Sequence, residues 1–329
     1  MKYYLAPMEG LTTYTFRTVW NQYYGGMDKY FTPFISNRRM SSRELNDILP
    51  EHNVGMNTVP QILTNKADEF LALAKQLSDY GYETVNLNLG CPSGTVVAKN
   101  RGAGFLGTPR ELALFLDEIF EKCPLKISIK TRIGMDDLEE WKPLLSIYEK
   151  YPMEELIIHP RLQKEGYGGT PHLDAFAEAA ERLHCPLCYN GDITSPASLE
   201  KLLTALPNVE TVMIGRGILQ NPELLAMLQG NDSVTADLAT LRAFHDTLLE
   251  SYQKIMSGDT NTLYKMKDLW TFLSKSFINA DKYLKKIRKA NRVSDYRIAV
   301  NSLFRDCQFS PSLASSITIS GSGSPTDSM

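Results

Sequence analysis

Cys91 stands where an apolar run stops. It follows the alternating stretch "TVNLNL", residues 84–89, and one glycine, and it precedes Pro92. A protonated thiol at a strand end can deliver a proton to a bound molecule, and apolar surroundings keep its pKa high enough to hold that proton. Further along, "LKISIKTR" ends in Lys130 and Arg132, and "ELIIHPR" ends in His159 and Arg161. An ammonium at such a place can stabilise a developing anion. Two glycine-bearing turns complete the set: "NGD", Asn190 to Asp192, and "IGRG", Ile214 to Gly217. Glycine lets the backbone approach a ligand closely, a helix N-terminus adds amide donors, and Arg216 adds a charged fork. Two such turns together point to a phosphate-bearing ligand. Each group has a plainer reading beside this one. The cysteine can pack as a small hydrophobe, the lysine can snorkel, the histidine can be a satisfied core residue, and the glycines can merely tighten turns. Cys185 and Cys188 form a CxxC, but a zinc site wants a second pair and the sequence has none. Packing is therefore the expected role, with no metal.

These residues need a scaffold that brings them together. Eight short apolar runs recur, at 3–6, 30–35, 58–63, 84–89, 125–131, 155–159, 186–190 and 209–215. Amphipathic stretches with 3–4 spacing lie between most of them, at 67–81, 108–123, 138–151, 173–183 and 195–206. Thr108 and Ser195 are suited to cap the helices they open, each with proline at the first helical position. Strands alternating with helices imply a parallel sheet, and eight such units fit an α/β fold of the (β/α)8 TIM-barrel type. A doubly wound sheet is the rival, but no GxGxxG turn follows the first run. In such a barrel the active site lies at the C-terminal ends of the strands. The ends deliver Pro7, Met8 and Glu9 of "APMEG", then Gln61, Asn88, Cys91, Lys130, Arg132, His159 and the two glycine turns.

After about residue 231 the strand signals stop, and 236–256 and 262–306 read as helices. The organisation expected is a barrel over 1–235, a helical domain over 236–309 and a Ser/Gly-rich disordered tail over 310–329. Net charge is −3, but unevenly spread. Tyr264 to Arg305 carries 11 Lys and Arg against three Asp, while the remainder carries 24 against 35 acidic residues. A basic block on an acidic chain suggests a polyanionic partner. The stretch Asp281 to Arg292 puts Tyr283, Leu284, Ile287 and Asn291 on one helical side and leaves Lys285, Lys286 and Lys289 on the other. The start "MKYYLAPMEG" turns polar too early for a signal peptide, no apolar run is long enough to span a membrane, and the five cysteines are odd in number and scattered. A cytoplasmic protein with reduced thiols is the expectation.

Taken together, "APMEG", "NLNLGCPS", "IKTRIG", "HPR", "YNGDI" and "VMIGRGILQNP" resemble the flavin-dependent tRNA-dihydrouridine synthases, in order and spacing, from about Tyr4 to Pro222. The stretch "YKMKDLWTFLSK" is similar to that family's C-terminal helical domain. The resemblance implies FMN as prosthetic group, NADPH as reductant and tRNA as substrate. It places Pro7, Met8 and Glu9 against the flavin ring, Gln61 at its polar edge, Lys130 near N1 and the C2 carbonyl, and His159 nearby. It puts Asn190, Gly191, Asp192, Gly215 and Arg216 on the phosphate side. Cys91 matches the family's proton donor for reduction of the uracil C5–C6 double bond, and Asn88 and Arg132 fall on the substrate side. The basic residues Lys285, Lys286 and Lys289 would grip tRNA outside the pocket. Two other readings remain beside this one: an FMN barrel that reduces a small molecule of dihydroorotate or enoate type, and a nucleic-acid-binding protein with an inactive barrel. A basic helical tail is not needed by the first, and the second does not explain Cys91 and Lys130.

Overall fold

A computed structural model describes residues 1–230 and 237–310. Eight parallel strands close a barrel in sequence order: β1 (Lys2–Leu5), β2 (Lys29–Ile35), β3 (Thr58–Ile62), β4 (Thr84–Leu89), β5 (Lys126–Arg132), β6 (Glu155–His159), β7 (Leu187–Asn190) and β8 (Thr211–Ile214). β8 pairs with β1, with Tyr4 opposite Met213. Helices cover the outside, so both faces of each strand are buried, which is why the runs read as nearly continuous apolar stretches. Tyr4, Phe31, Val59, Ile157, Cys188 and Met213 fill the barrel interior. Cys188 of the CxxC is thus a packed core residue, and all five cysteines are free thiols.

Pro33 interrupts β2. It has no N–H for the ladder, and the β2–β3 register shifts between Phe31 and Phe34. The Thr32 hydroxyl fills the gap: it accepts from the Gln61 N–H at 3.1 Å and donates to the Pro33 carbonyl at 2.8 Å. This bulge turns Phe34 toward the C-terminal rim, where it lines the main cavity.

The expected helices form as Ala67–Asp79, Pro109–Lys122, Trp141–Tyr148, Leu173–Arg182 and Pro196–Ala205. Tyr14–Tyr23 and Ser42–Ile48 add two that the spacing did not reveal. Ser195 caps its helix by accepting from the Ser198 N–H at 3.1 Å. Thr108 makes no side-chain cap. Its hydroxyl instead accepts from Asn100 Nδ2 at 3.1 Å, so the side chain is drawn back to the preceding loop.

Beyond the barrel, the chain forms helices Leu238–Ile255, Gly258–Leu273, Asp281–Lys289 and Val293–Asp306. They do not stand apart, because one hydrophobic cluster runs from the outer face of the barrel into them. Phe16 meets Phe244 edge-on at 6.0 Å. Within the helices, the Tyr296 hydroxyl accepts from Trp270 Nε1 at 2.7 Å and lies 2.7 Å from His245 Nε2, while His245 Nδ1 lies 2.9 Å from Asp246. Burial lowers the His245 pKa, so the ring is neutral and both nitrogens are used. Helix Asp281–Lys289 buries Tyr283, Leu284 and Ile287, as its spacing predicted, but Asn291 lies beyond its end and is exposed. The expected boundary at 235/236, and the expected tail after Ser310, fall outside the described residues.

Candidate active site

A cavity of about 520 Å³ opens at the C-terminal ends of the strands. That is an ordinary size for a cofactor site. All the rim residues expected from sequence line it: Pro7, Met8, Glu9, Gln61, Asn88, Cys91, Lys130, Arg132, His159, Asn190, Gly191, Asp192, Gly215 and Arg216. They meet because parallel strands send their C-terminal ends to one rim. Lys285, Lys286 and Lys289 lie elsewhere, exposed on helix Asp281–Lys289.

A chain of buried amides sets the Cys91 loop. Ser128 Oγ accepts from Asn86 Nδ2 at 2.9 Å, Asn86 Oδ1 from Gln61 Nε2 at 2.7 Å, and Gln61 Oε1 from Asn88 Nδ2 at 2.7 Å. Asn88 Oδ1 then accepts from the backbone N–H groups of Gly90 and Cys91, at 3.0 and 2.9 Å. The Cys91 carbonyl accepts from the Ala103 N–H at 3.0 Å. Gly102 allows that approach, since its φ is +57° and a Cβ there would sit 2.9 Å from the Cys91 oxygen. Arg132 donates to the carbonyls of Gly90, Leu162 and Gly166 at 3.0, 2.9 and 2.7 Å. Asn88 and Arg132, expected on the substrate side, therefore both hold the thiol loop in place, while Arg132 also ties down the loop after β6.

Three of the titrating groups that line the cavity bear on its chemistry most directly: Cys91, Lys130 and His159. Burial pushes the Cys91 thiol above its usual pKa, so Sγ keeps its proton near neutral pH. Burial lowers Lys130, with Arg132 adding to the effect, to about 8. Its ammonium has no hydrogen-bond or ion-pair partner among the described residues. Burial also holds His159 well below its usual value, helped by Arg132, Lys130 and Arg161. Arg161 Nη1 lies 3.0 Å from His159 Nε2. A guanidinium can only donate, so Nε2 accepts and the neutral ring carries its proton on Nδ1.

The glycine turns form a tight cradle. Asn190 Nδ2 donates to the Met213 carbonyl at 2.8 Å and ties β7 to β8. A Cβ on Gly215 would sit 3.2 Å from Met8 Sδ, and one on Gly217 would sit 2.2 Å from the Ile193 carbonyl oxygen, so only glycine fits at 217. Asp192, in the left-handed region at φ 46°, pairs with both Arg161 and Arg216 at 2.5 Å. Arg216 also lies over the Tyr167 ring, 4.5 Å from its centroid. An incoming phosphate would have to share Arg216 with Asp192. The unpartnered Lys130 and the Gly215 cradle are the observations that an anionic flavin nucleotide fits.

Sequence reasoning missed Phe34 and Tyr167, and it placed Arg161 at the end of β6 without giving it a role. Phe34 depends on the bulge at Pro33. Tyr167 stands in the loop after β6 between glycines, "EGYGG", which is the one local sign that a side chain is being presented there. Arg161 is fully buried and donates to the carbonyls of Gly168 and Gly169 at 2.8 and 2.7 Å, so it anchors that loop as well as His159 and Asp192.

The fold and site define a (β/α)8 enzyme whose rim pocket presents a protonated thiol, a lone ammonium and a glycine-lined cradle. Comparison with known proteins narrows this. The chain matches the family model described as Dihydrouridine synthase (Dus) over residues 4–308. It is 30% identical to tRNA-dihydrouridine synthase B of Pasteurella multocida over 230 residues, 69% of this chain and 68% of that one. It is 27% identical to tRNA-dihydrouridine(16) synthase of Shigella flexneri over 318 residues, 92% of this chain and 98% of that one. Among solved structures, morphinone reductase superposes with a TM-score of 0.51 at 12% identity, covering 73% of this chain and 88% of its own, a likeness of fold. The chain belongs to the dihydrouridine synthase family. Converting uridine to dihydrouridine is a two-electron reduction, so the protein is an oxidoreductase. Among the described residues no helix is long and apolar enough to cross a membrane.

Proposed function

We propose that the protein reduces specific uridines of tRNA in the cytoplasm, with FMN held in the rim pocket, NADPH as reductant and Cys91 as the acid. The observation that carries this is the protonated Cys91 thiol in one cavity with the unpartnered Lys130 ammonium. When bound, reduced FMN supplies two electrons and one hydrogen to one carbon of the uracil C5–C6 double bond. The other carbon needs a proton, and Cys91 Sγ–H offers it. The thiolate left behind recovers a proton from solvent. Lys130 and the loop Pro7–Glu9 hold the ring system, and Gly215, Gly191 and Asn190 leave room for the phosphate end. Arg216 provides the charge for that phosphate once its pairing with Asp192 is shared. His159, neutral and protonated on Nδ1, donates one hydrogen bond into the pocket. The family match over almost the whole chain favours this reading over a small-molecule reductase.

The direct test is to mix the purified protein with FMN, NADPH and tRNA lacking dihydrouridine. Dihydrouridine should appear in the nucleoside digest, and the protein should carry flavin absorbance. NADPH oxidation that produces no dihydrouridine in any tRNA, yet reduces an enoate or orotate, would establish the rival instead.

The helical part is proposed to grip the tRNA body. Lys285, Lys286 and Lys289 are all exposed, on the face opposite the buried Tyr283, Leu284 and Ile287. Extruding a base from its stack costs a few kcal/mol, and phosphate contacts away from the pocket can offset that cost. Replacing the three lysines with Gln together should raise the KM for tRNA and lower the slope of log affinity against log salt by about 2 to 3, roughly 0.7 to 0.9 per lost contact. NADPH oxidation should stay unchanged. Titration of tRNA binding against salt reads this directly, and an unchanged slope would leave the basic face as plain surface.

A further inference from the structure

Helix Gly258–Leu273 turns its apolar side inward, burying Leu263, Met266, Leu269, Trp270 and Leu273, yet leaves Tyr264 64% exposed. Tyr264 does not itself line the active-site cavity, but through Lys265 it lies close to the loop after β1 that does. Its neighbour Lys265 places Nζ 6.0 Å from the ring centroid and donates to the Gly10 carbonyl at 2.8 Å. Gly10 follows Glu9, which lines the cavity, and Glu9 pairs with the half-exposed Arg43 at 2.9 Å. Just past the far end of the same helix, Ser276 Oγ donates to the Gln220 carbonyl at 2.7 Å, and Lys275 feels the charge of Arg216. This stretch thus runs from the loop after β1 to helix Arg216–Gln220 after β8, both of which contribute residues to the cavity lining. Neither Lys265 nor Lys275 is in a salt bridge with a carboxylate among the described residues, although Asp268 lies near Lys265.

We propose that Tyr264 is a stacking platform for the unpaired RNA base next to the uridine that enters the pocket, with Lys265 beside it for the backbone phosphate. This rests on the tRNA reading above. A base drawn out of its stack leaves its neighbour with an open face. An aromatic ring just outside the pocket can cover that face whatever the base, because every base has a π surface. A water-exposed ring with one ammonium beside it that makes no carboxylate salt bridge suits unpaired RNA, which proteins bind by stacking and phosphate contacts together.

The test compares Tyr264→Ala and Tyr264→Phe in the flavin-loaded full chain. Stacking on one base is lost with alanine, so the KM for tRNA should rise about 5- to 150-fold. The kcat at saturating tRNA, the flavin content and NADPH oxidation without tRNA should stay at wild-type values. Phenylalanine keeps the ring face and should keep the wild-type KM. Binding of a single-stranded oligoribonucleotide should weaken in Tyr264→Ala, while binding of a duplex of equal length should not. A wild-type KM in Tyr264→Ala overturns the proposal. So does an equal loss in Tyr264→Phe, which would make the hydroxyl the contact, or a fall in kcat alone. If the wild-type protein makes no dihydrouridine in any tRNA, the functional reading fails, and oligoribonucleotide binding then decides the stacking role by itself.

Discussion

Cys91→Ala should hold its flavin and oxidise NADPH as wild type does, while dihydrouridine formation falls about 10²- to 10⁴-fold, the usual worth of a positioned general acid. The two half-reactions separate because the thiol is needed only for the proton. The Glu9 carboxyl also lines the cavity and burial raises its pKa, but it is engaged by Arg43 at 2.9 Å. His159 is held neutral by burial and its neighbouring cations, so its Nδ1 proton is not acidic near neutral pH. Lys130 can release a proton near pH 8, but the resemblance sets it against the cofactor ring and not the base. The loop should survive the change, since its geometry rests on backbone bonds from Asn88, Arg132 and Ala103, none of which uses Sγ. Single-turnover reduction of tRNA by pre-reduced protein measures the step directly. Near-normal turnover in Cys91→Ala would remove the acid role.

Lys130→Met should weaken FMN retention and lower turnover by about 10²- to 10³-fold, the cost of removing one preorganised stabilising group. The wild-type pH dependence gives this a second reading. The ammonium is charged below about pH 8 and neutral above it. Capture of FMN by flavin-stripped protein should therefore fall as pH rises through 8. The stability of the flavin-free fold should move the other way. The folded pKa is lowered from 10.5, so between about 8 and 10.5 the unfolded chain binds more protons, and this group's contribution to stability rises with pH across that window. Both trends should vanish in Lys130→Met. Flavin titration and thermal melts across pH 7 to 10.5 check them. A variant that keeps the wild-type pH profile would place the charge that binds flavin elsewhere.

What could be read from the sequence alone follows from direction and period. Eight apolar runs separated by helical patterns define a parallel barrel, and in a parallel barrel every strand end arrives at the same rim. Cys91, Lys130, His159 and the two glycine turns lie far apart along the chain, yet their convergence was settled once each was seen to end a strand. The buried side of helix Asp281–Lys289 was legible for the same reason, since a 3–4 spacing says which face turns inward. Hydrogen-bond partners were not legible, because they depend on register across strands and on loops that meet only when the barrel closes. Asn88 reads as a substrate contact until Gln61, from the next strand, takes its Nδ2 and the Cys91 loop takes its Oδ1. Arg216 reads as a free phosphate ligand until Asp192 and Tyr167 are seen to hold it. Arg161 showed no sign in sequence of being the buried anchor for His159, Asp192 and the Tyr167 loop at once. The helical segment read as a domain of its own; its apolar faces pack into the barrel's outer core and bring Lys265 to the loop after β1. Period and composition say that such a face will be buried. Only the tertiary structure decides against what, because apolar burial has no direction and accepts any surface of the right shape.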